Sequence, residues 1–137
     1  ALQQVYVLDT NVVFDMLNQQ AAVLAAHRRA LHANAAFIMC PIVHFEVMRG
    51  FVHRPDAEDE RAFADLTVRC RWEDLERADW NLASELWAEG QSRGRRPQDA
   101  DVLIAAFARN RGAVVITADA RAFDHLSVST ENWRSEE

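Results

Sequence analysis

The stretch VYVLDTN, residues 5–11, determines the predicted fold. Four apolar residues run directly into the polar side chains of Asp9, Thr10 and Asn11. A short apolar run of this kind is typical of a buried strand. The polar residues then have two interpretations: Asp9 or Thr10 caps the next helix, or Asp9 is one ligand of a metal site. The rest of the chain bears on this choice.

Strand and helix patterns alternate along the sequence. Further apolar runs predict strands at residues 36–40 and 113–117, and weaker patterns indicate short strands at 70–75 and 126–130. Helical patterns occupy residues 11–20, 21–34, the segment from Pro41 to Phe51, the segment after Asp56, and residues 77–90 and 99–112. This alternation predicts an α/β fold, with a short and mostly parallel central sheet flanked by helices on both faces.

Length and composition are those of one globular domain, predicted to span residues 1–137. No apolar run approaches the roughly 20 residues that span a bilayer, so we expect no membrane association. The only cysteines, Cys40 and Cys70, have no metal-ligand spacing, and we interpret the chain as a cytoplasmic protein without a secretory signal. The net charge of −6 argues against general coating of nucleic acid but does not exclude a local basic stripe.

Four acidic residues are expected to converge at one edge of the sheet. Asp9 and Asp119 follow two predicted strands, Glu46 lies in the apolar run VHFEVMRGF, and Asp101 opens a helix. Each has an ordinary interpretation when taken alone: a helix cap, a turn residue, or, for Glu46, a solvated partner of Arg49. Their convergence favours a functional site, because ligands bind at the carboxyl edge of such sheets.

Crowded carboxylates repel one another, and a divalent cation relieves that repulsion. Mg²⁺ or Mn²⁺ takes hard oxygen ligands, whereas the absence of His and Cys from the cluster disfavours zinc. Such a cation activates water and stabilises an in-line displacement at phosphorus. The acidic cluster therefore indicates phosphodiester hydrolysis without a covalent enzyme intermediate.

The segments VLDTNVV, FEVMRGF, DVLIAAFA and VVITADARAF resemble, in order and spacing, the four motif blocks of the PIN domain. They are most similar to the VapC-type toxins of type II toxin–antitoxin modules. The resemblance implies a metal site formed by Asp9, Glu46, Asp101 and Asp119. It also implies that these acids are positioned by further polar residues, namely Thr10, Asn11 and Thr117.

Asp99 competes with Asp101 for the third position in the metal site. The five-residue offset from Asp101 to Ala106 matches the family pattern and favours Asp101. The resemblance further implies a Mg²⁺-dependent (or Mn²⁺-dependent) endoribonuclease that cleaves RNA, forms a homodimer and is inhibited by a cognate antitoxin protein. The alternatives are a PIN-type nuclease of RNA maturation and a catalytically inactive PIN-like module that binds RNA or protein.

Two further features bear on function. Arg93, Arg95 and Arg96 precede Asp101 in a loop, where they are either solvated or in contact with substrate phosphates. A phospho-receiver domain shares the size and the strand-end acids of this chain, but it needs a lysine after a late strand. All 15 basic residues of this sequence are arginine, which excludes that class.

Overall fold

Five short strands form the centre of the computed structural model, which describes residues 3–134. They are β1 (Val5–Leu8), β2 (Ala36–Met39), β3 (Arg71–Trp72), β4 (Val114–Ile116) and β5 (Thr130–Glu131). The strands pair in the order β3-β2-β1-β4-β5, and every pair is parallel. Consecutive residues of β1, such as Val7 and Leu8, are both buried. Because successive side chains of a strand point to opposite faces, both faces of the sheet are covered.

The α-helices that join the strands begin where the local sequence favours a helix start. They are α1 (Thr10–Leu17), α2 (Ala21–His32), α3 (Pro41–His53), α4 (Ala57–Val68), α5 (Arg77–Ser92) and α6 (Asp99–Asn110). Pro41 occupies the first turn of α3, where no N–H is needed. Asp56 caps α4 by accepting a hydrogen bond from the N–H of Asp59. The predicted α/β class is confirmed. Between residues 3 and 134, none of the helices has the length and apolar character to span a membrane.

The last strand lies later in the chain than the sequence pattern predicts. The expected strand covers residues 126–130, but β5 begins only at Thr130. Leu126 is fully buried, and Ser127 has a φ of 54°, in the left-handed region. A chain in that conformation turns instead of extending. The predicted boundaries of this strand are therefore wrong, because the left-handed backbone at Ser127 interrupts the extended chain.

The register of the sheet brings two distant segments together at its carboxyl edge. Leu8 of β1 pairs with Ile116 of β4. The residues that follow, Asp9 and Thr117, therefore leave the sheet side by side. The backbone N–H of Asp9 donates to the carbonyl oxygen of Ile116 at 2.8 Å, and α1 begins one residue later. The sheet thus presents polar side chains at the edge where parallel sheets bind ligands.

A buried ion pair joins α5 to Arg111, which directly follows α6. The Asp79 side chain is 1% exposed, and its two oxygens accept hydrogen bonds from Arg111 at 2.9 and 3.0 Å. Burial alone would raise the pKa of Asp79. Asp79 accepts hydrogen bonds from the side chain of Arg111, the backbone N–H of Glu76 and the side chain of Asn110. Together these bonds outweigh the effect of burial and hold the pKa of Asp79 below its ordinary value. The charge on Asp79 therefore depends on these partners.

Replacing Arg111 by Met should lower the free energy of unfolding by about 3–5 kcal/mol, since it leaves the buried Asp79 charge uncompensated. Chemical denaturation at neutral pH measures this quantity. Arg93→Met serves as the control, because it removes only an exposed pair with Glu89 and should cost about 0.5 kcal/mol or less. Equal losses in the two variants would show that the buried pair does not stabilise the junction of α5 and α6.

Candidate metal centre

Asp9 is held in place by two hydrogen bonds from different parts of the chain. One carboxylate oxygen accepts from the backbone N–H of Thr10 at 2.8 Å, which caps α1. The other oxygen accepts from the hydroxyl of Thr117 at 2.8 Å. Asp9 is 7% exposed, and Thr117 is fully buried. The helix-cap interpretation of Asp9 is therefore correct, and the cap geometry also fixes the carboxylate at the sheet edge.

Thr117 and Asn11 fix the position of Asp119. The hydroxyl oxygen of Thr117 accepts a hydrogen bond from the backbone N–H of Asp119 at 3.0 Å. The side-chain oxygen of Asn11 accepts from the N–H of Ala118 at 3.1 Å. These contacts hold the turn after β4 against the start of α1. The hydroxyl of Thr117 thus links the carboxylate of Asp9 to the backbone of Asp119.

Glu46 reaches the same region from α3. One of its carboxylate oxygens accepts a hydrogen bond from the hydroxyl of Thr10 at 2.6 Å. The other lies 3.6 Å from the guanidinium of Arg49. The Glu46 side chain is only 17% exposed, whereas Arg49 is 60% exposed. The expected i,i+3 partner is therefore present, but it does not draw Glu46 into solvent.

A cavity of about 350 Å³ brings the four acids together. The residues that line it are Asp9, Thr10, Asn11, Phe14, Glu46, Asp101, Asp119 and Ala122. Asp99 instead lines a separate apolar groove that includes Trp80 and Trp87. Residues two positions apart on a helix differ by about 200° around its axis, so Asp99 and Asp101 face different sides of α6. The structure therefore brings Asp101, and not Asp99, to the other three acids.

Crowding of the carboxylates changes their proton affinity. Burial, followed by the charges of Asp9, Glu46 and Asp119, raises the pKa of Asp101 to about 6. The pKa of Asp9 is also raised, first by burial and then by Glu46 and Asp119. Hydrogen bonds from Thr117 and Thr10 oppose that rise. Negative charge is therefore concentrated here beyond what the protein alone neutralises.

The donor set of this cavity suits a hard cation that keeps part of its water shell. All four acids supply oxygen, and the cavity lining contains no histidine or cysteine. Among residues 3–134, no three acidic, histidine or cysteine side chains are arranged as a metal cage, that is, as a group that could hold a metal ion by itself. Mg²⁺ needs no such cage, since it binds one or two carboxylates directly and retains several waters. The residues therefore fit this class of cation.

The arginines of the loop before α6 do not act as one group. Arg95 and Arg96 line a second cavity that also includes Glu46, Asp101 and Asp119. Arg93 is absent from that lining, and its guanidinium lies 3.8 Å from Glu89. Two further basic side chains in the lining, Arg121 and His125, were not singled out in the sequence. The one available signal for Arg121 was its position two residues after Asp119.

A parallel sheet with carboxylates at its carboxyl edge defines an α/β domain with a candidate site for hard cations. A family model of the PIN domain matches residues 6–128. The chain therefore belongs to the PIN domain family, and the predicted membership is confirmed.

Several solved structures share this fold. VapBC2 from Rickettsia felis bound to a DNA fragment from its promoter gives a TM-score of 0.85 at 21% identity, over 95% of this chain and 99% of that one. VapBC-1 from nontypeable Haemophilus influenzae gives a TM-score of 0.82 at 23% identity, over 95% of this chain and 98% of that one. FitAcB from Neisseria gonorrhoeae gives a TM-score of 0.79 at 18% identity, over 96% of this chain and 99% of that one. These TM-scores establish likeness of fold. No curated protein sequence matches the chain.

The raised pKa of Asp101 predicts how the stability of the metal-free protein changes with pH. The unfolded chain releases this proton near the ordinary value of 3.8, whereas the folded protein retains it up to about pH 6. Asp101 therefore destabilises the fold increasingly between these two values, and by a constant amount above them. In EDTA, the melting temperature of Asp101→Asn should exceed that of the wild type by an amount that grows over this interval. A difference independent of pH would contradict the assignment.

The Thr117 hydroxyl should matter for cation affinity, because it orients Asp9 and Asp119 together. Thr117→Val keeps the shape of the side chain and removes this link, and we expect Mn²⁺ to bind roughly 10–100-fold more weakly. Thr117→Ser retains the hydroxyl and should lose much less. Titration of Mn²⁺ against melting temperature measures both. Equal affinity in the Val variant and the wild type would limit Thr117 to a packing role.

Proposed function

We propose that this protein is an endoribonuclease that depends on Mg²⁺ or Mn²⁺ and hydrolyses RNA phosphodiester bonds. The observation that carries the proposal is the convergence of Asp9, Glu46, Asp101 and Asp119 on one cavity at the carboxyl edge of the sheet. Membership in the PIN domain family supports it. When bound, the cation supplies the Lewis acidity that allows water to attack a phosphodiester at neutral pH.

The residues of the chain have distinct roles in this proposal. Asp9, the most buried of the four acids, is oriented by Thr117 and the start of α1 and would hold the cation from the sheet side. Asp101 and Asp119 would hold it from α6 and from the turn after β4. Thr10 fixes the rotamer of Glu46 through a short hydrogen bond. The carboxylates of Asp9 and Glu46 are thus preorganised, so these two side chains need little reorganisation when substrate and cation arrive.

The biological setting in the proposal is a type II toxin–antitoxin module. Similar folds occur in VapBC and FitAcB structures, and the resemblance of the motif blocks to VapC-type toxins has the same implication. We therefore infer that the chain acts in the cytoplasm as the toxin, forms a homodimer and is inhibited by an antitoxin protein. All four acids are present, so no feature of the site favours an inactive module.

Chelation and substitution test the proposed chemistry. RNA cleavage by the purified protein should require Mg²⁺ or Mn²⁺ and stop in EDTA. Asp9→Asn, Glu46→Gln, Asp101→Asn and Asp119→Asn should each lower kcat by roughly 100-fold or more, because each removes a charged carboxylate that would hold the cation at the reacting phosphate.

Asp99→Asn is the matched control, since it removes the same charge from a residue that faces a different groove. It should retain nearly full activity. Circular dichroism would establish that all variants are folded. Cleavage that persists in a chelated sample, or loss of activity in Asp99→Asn with activity kept in Asp101→Asn, would refute this assignment.

A further inference from the structure

A second cavity, of about 630 Å³, adjoins the carboxylate cavity on one side. The two share Glu46, Asp101, Asp119 and Ala122 in their linings, so they form one continuous depression. The lining of this second cavity also includes four basic side chains: Arg95, Arg96, Arg121 and His125. The depression therefore combines the acids of the carboxylate cavity with the basic side chains of the second cavity.

Arg95 is already engaged within the protein. Its guanidinium pairs with the carboxylate of Asp124, and the same carboxylate oxygen lies 3.4 Å from the ring Nδ1 of His125. The backbone N–H of Arg95 donates to the carbonyl oxygen of Gly90 at 2.9 Å. These contacts join the loop before α6 to the segment after β4. The charge of Arg95 is therefore paired with Asp124, which leaves Arg95 less available to an external anion.

The loop is also fixed by close packing against the end of α5. A Cβ atom on Gly90 would lie 2.7 Å from Cδ of the Pro97 ring, so only glycine allows this approach. Arg96 precedes Pro97 and has a φ of 49°, a conformation that non-glycine residues rarely adopt. The position of the Arg96 backbone is therefore determined by its neighbours.

Arg96 and Arg121 differ from Arg95 in forming no ion pair with any acid in the part of the chain that the structure describes. Within residues 3–134, neither side chain makes an ion pair or a hydrogen bond, and both residues are exposed. They come from two separate segments, the loop before α6 and the 3₁₀ turn Ala120–Ala122, yet they line one cavity. In a chain of net charge −6, two uncompensated guanidinium groups beside three carboxylates suit an anionic ligand.

We propose that Arg96 and Arg121 bind a phosphate of the RNA strand next to the phosphate that is cleaved, while the Arg95–Asp124 pair holds the loop that carries Arg96. This assignment rests on the endoribonuclease function proposed above. The planar guanidinium fork pairs with two phosphate oxygens, which a point charge does not. Contacts of this kind position the strand and offset its repulsion from the carboxylates.

The double variant Arg96→Ala/Arg121→Ala tests this assignment. We expect KM for RNA cleavage to rise roughly tenfold or more, with kcat within about twofold of the wild type, because the lost contacts act on binding. RNA binding in Ca²⁺, without cleavage, should lose about 0.7 from the slope of log affinity against log salt, because the two arginines neutralise one phosphate of a single strand. Stabilisation by Mn²⁺ should be unchanged, because arginine is not a cation ligand.

Arg28→Ala/Arg77→Ala is the matched control, since it removes the same charge from two exposed arginines on α2 and α5 outside the linings of both cavities. Its KM and salt slope should equal those of the wild type. Equal changes of KM and of salt slope in the two double variants would show that only the net charge matters, and would overturn the assignment. A fall in kcat at unchanged KM would overturn it as well.

Asp124→Ala separates the two roles proposed for the arginines. If Arg95 holds the loop, the variant loses the ion pair and KM rises. A lower KM would show that the released Arg95 binds phosphate itself, which would contradict its role in holding the loop. Absence of cleavage by the wild type in Mg²⁺ would refute the proposed function, whereas normal cleavage by Arg96→Ala/Arg121→Ala would refute the phosphate site alone.

Discussion

The hydrogen bond from Thr117 to Asp9 is the contact on which the candidate site depends. It joins the ends of two neighbouring parallel strands, and the same hydroxyl oxygen accepts the N–H of Asp119. One buried hydroxyl thereby joins the carboxylate of Asp9 to the backbone of Asp119, a residue far from it in the sequence. Asp9 in turn caps α1, so the start of that helix and its hydroxyl at Thr10 are fixed as well. Thr10 then orients Glu46.

Bringing these carboxylates together is electrostatically unfavourable in the metal-free protein. The raised pKa values of Asp9 and Asp101 show that the folded chain concentrates negative charge without enough internal neutralisation. Elsewhere the same fold neutralises buried charge well, as at Asp79, where Arg111 supplies two hydrogen bonds. The contrast between these two regions supports the proposal that the crowded acids bind a cation, since buried structural carboxylates usually have ion-pair or hydrogen-bond partners.

The sequence predicts the sheet edge and its acids because strand ends and helix starts have strong local signals. Asp9 and Asp119 follow from two apolar runs and the rule that parallel strands share a carboxyl edge. The choice between Asp99 and Asp101 depends on the rotation of α6 about its axis, which tertiary packing sets. Arg121 has no pattern of its own, since an exposed arginine in a turn looks the same whether or not a cavity lies beside it. The late start of β5 follows the left-handed backbone at Ser127, which the apolar pattern of residues 126–130 does not indicate.

Sequencing of RNA 5′ ends in cells tests the central claim most directly. Wild-type protein and Asp9→Asn would be induced in parallel, at equal abundance. The account predicts discrete new 5′ ends at defined RNA positions with the wild type and none with Asp9→Asn, because the substitution removes a ligand from the cavity while leaving the fold. New ends of equal abundance in both samples, or none in either, would contradict the assignment of this cavity as the centre of an endoribonuclease.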